Sequence, residues 1–137
     1  MSNDYQTLKN SPIGAQRAAI RSGAYQGHTA GLGQGLLQAN LAIMPQDHAL
    51  DFMRFCQRNP KPCPLTGVSD TGNPMMHTLG AEIDIRSDVP AYNIYRDGVL
   101  VGETCDISDL WQDDFVAFAL GCSFTFEHAL QRAGLNL

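Results

Sequence analysis

The chain has 137 residues, the size of one ordinary domain, and its 44% hydrophobic and 17% charged fractions build a core and exclude a disordered tract. A net charge of −5 with scattered Lys and Arg excludes a nucleic-acid binder that works by neutralising phosphates. Met1 to Asn10 is polar, and the longest nearly unbroken apolar run, Phe115 to Phe124, is too short to cross a bilayer, so no membrane partner and a cytoplasmic location are expected.

Arg21 to Pro45 carries Gly23, Gly27, Gly31, Gly33 and Gly35 directly before an apolar run. Glycines in that number weaken a segment unless the backbone needs positive φ angles or comes very close to something else. Amides freed in such a loop can hold an anion, and Arg21, His28 and Thr29 add side-chain donors. An irregular N-terminal connection explains the same composition equally well. Gly31-x-Gly33-x-Gly35 is not a dinucleotide loop, because a strand is expected after it where that loop needs a helix.

Leu36 to Met44 is that strand, short, apolar and closed by Pro45. Gln38 and Asn40 lie two residues apart and share one face. Amides on a half-buried strand more often bond neighbouring backbone than a ligand, and Asn40 stands as a candidate substrate contact beside that alternative. Asp47 to Arg58 reads as a helix, since Ala49, Phe52, Met53 and Cys56 recur at helical spacing with an acid at the start and a base at the end. Asn59-Pro60-Lys61-Pro62-Cys63-Pro64 cannot continue it, and the stiff connection presents Cys63 in a fixed direction.

Ser69 to Gly80 is a loop, Glu82 to Arg86 alternates as a strand, and Ala91 to Thr104 is a hairpin turning at Asp97-Gly98. Residues 69–104 thus form a β-rich inserted subdomain, with 1–68 and 105–137 as the α/β part. Asp106 or Ser108 caps a helix running to about Leu120, apolar nearly all round and therefore buried with its Asp114. Gly121 ends that helix, and a last one covers Phe126 to Ala133, capped by Ser123 or Thr125 and stopped by Gly134. The fold class is α/β: a mixed sheet flanked by helices, with a small two-layer subdomain that contains the β-hairpin.

Cys56, Cys63, Cys105 and Cys122 show no C-x-x-C spacing and the histidines are dispersed, so no metal is expected and the thiols are reduced. Gly121-Cys122-Ser123 sets a thiol and a hydroxyl in the turn before a helix, where a thiolate or a bound anion is favoured. A small-residue corner with a capping serine is the commoner meaning of such a turn.

Several strings together resemble the hydro-lyase family that includes D-glutamate cyclase. They are Arg21-Ser-Gly, Gly27-His-Thr-Ala-Gly-Leu, Gln38-Ala-Asn-Leu and Phe55-Cys-Gln-Arg-Asn-Pro-Lys-Pro-Cys-Pro, then Tyr95-Arg-Asp-Gly, Asp106-Ile-Ser-Asp-Leu-Trp, Asp113-Asp-Phe-Val-Ala-Phe and Gly121-Cys-Ser-Phe-Thr-Phe-Glu. The resemblance implies an α/β fold with a smaller two-layer subdomain. It implies no cofactor and a small carboxylate substrate, by family D-glutamate, which closes to 5-oxo-D-proline with loss of water. Members run considerably longer, so this chain corresponds to their N-terminal half, and activity without the remainder is doubtful. On residue type and resemblance, Arg21, Thr29, Gly31, Gly33, Asn40 and Ser123 are the substrate contacts, and Asp114, Cys63 and Cys122 the candidates for proton transfer. The competing readings are a carboxylate-binding module without turnover, an inactive fragment, and a cysteine-nucleophile enzyme. Apolar surface left open by a half-length fold favours homo-oligomers.

Overall fold

The computed structural model describes residues 3–137, with side chains described from Tyr5 onward. In chain order the elements are α1 (Asn3–Lys9), α2 (Ile13–Arg21), β1 (Ala39–Pro45), α3 (Gln46–Arg58), β2 (Leu65–Val68), β3 (Tyr92–Arg96), β4 (Val99–Thr104), a 3-10 turn (Ser108–Leu110), β5 (Phe115–Gly121) and α4 (Phe124–Arg132). Helices and two sheets make the expected α/β class, and every described strand pair is antiparallel.

Two compact units share the chain. The first takes the residues up to Gly33 with Asp84–Trp111, and the second Gln34–Ile83 with Gln112–Leu137. The boundaries drawn from sequence, at 68/69 and 104/105, are placed differently: the hairpin groups with α1 and α2, and residues 69–83 with the three-stranded sheet.

In the second unit β5 is the central strand, between β1 and β2. Ala42 and Met44 of β1 stand beside Phe118 and Val116 of β5. With Val68 they form a face onto which α3 lays Ala49 and Phe52, the Phe52 ring meeting Phe118 edge-on at 5.0 Å. Phe118, Ala117 and Ala119 are fully buried. Pro45 closes β1, a position open to proline because an edge strand can do without one N–H. β2 bulges between Leu65 and Gly67, and the Thr66 hydroxyl donates to the Ala119 carbonyl at 2.9 Å.

β5 corrects the sequence reading, which gave residues up to Leu120 to a helix. A central strand is covered on both faces, so its residues run apolar without alternation, and over seven residues that pattern does not separate strand from buried helix. Aromatic and β-branched Phe115, Val116 and Phe118 tip the balance toward the sheet. Only Ser108–Leu110 is helical before it, with the Asp106 carboxylate accepting from the Ser108 N–H at 2.7 Å.

In the first unit β3 and β4 form a two-stranded ribbon. Its turn residues Asp97 and Gly98 both hold positive φ, 48° and 77°, the geometry that matches the right-handed twist of the strands. The strand expected at Glu82–Arg86 is a set of turns. The Asp84 carboxylate accepts from the Arg86 N–H at 3.0 Å and the Asp88 carboxylate from the Asp84 N–H at 3.0 Å, so two short acidic side chains curl the backbone and outcompete a ladder.

The strand expected from Leu36 begins at Ala39, the helix expected from Asp47 begins at Gln46, and the last helix spans Phe124–Arg132 where Phe126–Ala133 was expected. Gly134, at φ 87°, stops α4, its N–H donating to the Gln131 carbonyl and that of Leu135 to the Leu130 carbonyl.

Candidate functional site

Around the glycine loop of the first unit, Gly23, Gly31 and Gly33 have φ of 71°, 76° and 54°, so the conformational need read from sequence is real. At Gly31 close approach adds to it: a Cβ there would lie 2.8 Å from the Tyr5 hydroxyl, which donates to the Ala30 carbonyl at 2.6 Å. The loop amides, however, have internal work. Gly33 N–H donates at 2.8 Å to the side-chain oxygen of buried Gln16, Ala30 N–H to the His28 ring at 3.2 Å, and Leu32 N–H to the Thr29 carbonyl at 3.0 Å. Gln16 in turn donates to the Ser11 carbonyl at 2.9 Å, tying the loop to the start of α2. Sequence pattern did not single out Gln16.

Arg21 already holds a carboxylate. Its guanidinium forks onto Asp88 through Nε and Nη2, and Arg17 Nη2 reaches the same carboxylate at 3.2 Å. The Asp88 side chain is 6% exposed, so this is a buried anion clamped by two arginines. Beside it Arg86 pairs with Asp84 at 2.7 Å, and hydrogen bonds from Arg86 hold the Asp84 carboxyl below the usual carboxylate range. The Ser108 hydrogen bond does the same for Asp106. Buried Tyr92 donates to the Ile85 carbonyl, and burial pushes its phenol well above the ordinary value.

In the second unit several sequence-selected residues meet at the C-terminal end of β5. The Cys122 N–H and thiol both donate to the Gln38 carbonyl, at 3.3 and 3.6 Å. The Thr125 hydroxyl accepts from the Gln38 N–H at 2.9 Å and donates back to its carbonyl at 3.2 Å. Gly121 N–H donates to the Pro64 carbonyl at 2.9 Å, which brings the Cys63-Pro64 segment alongside Gly121-Cys122. Ser123 donates to Glu127 at 2.5 Å, one helical turn on. Its side chain makes no cap bond to the α4 backbone, and Thr125 is spent on Gln38, so neither fills the capping role. Asn40 is exposed on β1 opposite Leu120.

Asp114 does not join this corner. It is exposed at the other end of β5, its carbonyl accepting from Gln46 N–H at 2.8 Å, and a strand rise of about 3.3 Å per residue puts it roughly 25 Å from Cys122. The burial expected of it followed from the helix that is not there. Of the remaining cysteines, buried Cys56 has its thiol pushed up, first by burial and then by nearby Cys63. One residue the sequence reading passed over is His128 of α4, whose Nδ1 is the buried side-chain nitrogen or oxygen without a partner among the described residues.

Among the described residues no helix is long and apolar enough to cross a membrane, and no group of three His, Cys, Asp or Glu is placed to hold a metal ion.

No family model matches the chain. Curated relatives do. A protein of Dinoroseobacter shibae named "Putative hydro-lyase" is 77% identical over 133 residues, which are 97% of this chain and 44% of the relative. One of Ruegeria pomeroyi, named likewise, is 71% identical over the whole chain and 50% of its own length, and one of Rhizobium johnstonii 51% identical over the whole chain and 51% of its length. The chain thus spans about half the length of the curated relatives it matches.

Proposed function

From the premise that this chain belongs to the hydro-lyase family, we propose that it contributes to a lyase that expels water from a small amino or carboxylic acid, with D-glutamate closing to 5-oxo-D-proline as the leading reaction. Identity of 71–77% across nearly the whole chain to proteins named as hydro-lyases carries the lyase class, and D-glutamate rests on the resemblance of the sequence motifs.

The reaction sets its own requirements. The ammonium of the amino acid sheds two protons as its nitrogen attacks the γ-carboxyl carbon, and the departing oxygen takes up two to leave as water. No proton is consumed overall, so the site's work is to hold the chain folded back on itself and to pass protons from nitrogen to oxygen. In the second unit Ser123 and Glu127 are a hydroxyl and a carboxylate already hydrogen-bonded, a pair suited to that relay. Cys122 stands next in sequence, with its thiol on a carbonyl. Cys63 and Asn40 belong to the segments flanking the same strand end. In the first unit, Arg21 with Thr29, Gly31 and Gly33 remains the carboxylate-binding candidate. Substrate there has to compete with Asp88 for the arginine and with Gln16 for the Gly33 amide.

Incubating this chain and the Dinoroseobacter shibae relative separately with D-glutamate, and following 5-oxoproline by mass spectrometry, tests the proposal. Turnover by the relative is expected, and its absence there with D-glutamate and with other small dicarboxylic amino acids would overturn it. The half-length match favours a second reading, a carboxylate-binding module without turnover. It predicts a thermal shift with D-glutamate or 5-oxoproline and no product from this chain.

A further inference from the structure

The β3–β4 ribbon is a sheet of its own with apolar residues on both faces. Tyr95 and Leu100 stand opposite each other and are 60% and 54% exposed. Val99, 62% exposed, points to the other side because side chains alternate along a strand, and Val101, 55% exposed, sits in the bulge of β4 opposite the Ile94–Tyr95 step. All of β4 but its last residue is exposed. A lone two-stranded hairpin is marginal in water, and an apolar strand with a free edge is a ready template for another segment.

In the relatives, the part that aligns with this chain is accompanied by about as much sequence again, long enough to supply a further segment to an open strand edge. We propose that the ribbon is the docking surface for the unaligned half of the longer family members, which lays an apolar segment along β4 and covers Val99, Leu100, Val101 and Tyr95. Family membership alone is needed for this. The substrate does not enter, so failure of the lyase reading leaves it standing and the reverse.

Hydrogen–deuterium exchange decides it. The ribbon amides should exchange about 100-fold or more slower in the intact Dinoroseobacter shibae relative than in this chain, because opening them there requires undocking. Equal rates would overturn the proposal. So would slow exchange in this chain that appears only at high concentration, which would make a second copy the occupant. A binding measurement stands beside it: the relative's unaligned half, supplied as a separate polypeptide, should bind this chain at least about tenfold tighter than it binds the Val99→Lys, Val101→Lys double variant. Equal affinity for both would overturn the proposal as well.

Discussion

Gly72 and Gly35 hold nearly the same left-handed backbone, φ 75° and 83°, but in different surroundings, and this makes them a matched pair. A Cβ at Gly35 would find its nearest neighbour, the His128 ring, 3.9 Å away, an ordinary contact. A Cβ at Gly72 would lie 2.5 Å from the Asp113 carbonyl oxygen, and Gly72 N–H donates to the Phe115 carbonyl at 2.8 Å, so the turn is locked against the start of β5. Gly35→Ala therefore meets only the conformational penalty, about 1–2 kcal/mol. Gly72→Ala meets the same penalty and in addition must push two backbone segments apart, at about 1–3 kcal/mol for the displacement and about 1 kcal/mol for the hydrogen bond. The expected losses are thus about 1–2 against about 3–6 kcal/mol. Urea unfolding followed by circular dichroism reads both, because a midpoint shift at constant slope reports stability. Equal shifts for the two variants would refute the close approach of residue 72 to residue 113, and with it the strand assignment of the segment that follows.

Phe118→Ala removes the largest fully buried side chain of the sheet core and should cost about 3–5 kcal/mol in the same assay. The Asp84 carboxyl is held below its unfolded value of about 3.9 by Arg86, so the pair stabilises the fold above that pH and the contribution is lost as pH falls through the folded value. Arg86→Leu should accordingly flatten the decline of the urea midpoint between about pH 5 and pH 2, and an unchanged slope would remove the pair from the acid response. Burial pushes the Cys56 thiol up, so a thiol reagent at neutral pH should label Cys56 last of the four. Rapid stoichiometric labelling of Cys122 alone would instead favour a thiol nucleophile over the Ser123–Glu127 relay.

Elements specified by a few neighbouring residues were legible in the sequence. Asp97-Gly98 dictates its hairpin because both residues tolerate positive φ, and Gly134 stops α4 for the same reason. The stripe of Ala49, Phe52 and Cys56 fixed α3 to within one residue. What depends on distant partners was not legible. β5 is a strand because β1 and β2 flank it, and neither is near it in sequence. Glu82–Arg86 alternates like a strand, but Asp84 and Asp88 bind their own backbone more strongly than a neighbour would.

The candidate site divides along the same line. The corner at Gly121-Cys122-Ser123 was visible as a local string, and its partners Gln38 and Thr125 were named only for other roles. Asp88, which occupies the Arg21 fork from 67 residues away, carried no local signal. Asp114 is exposed where burial was expected because its segment leads into a strand, not a helix.

The route of the chain has a kinetic consequence. It leaves the three-stranded unit after Ile83 and returns at Gln112, and the middle strand of that sheet is the last to be laid down. Until then β1 and β2 have nothing to pair with. Pairing β5 must close a loop of some fifty residues from Val68 to Phe118 or some seventy from Pro45 to Phe115, which slows the search and leaves apolar strand edges waiting. A ribosome releasing this segment gradually therefore cannot bank one finished half before starting the other.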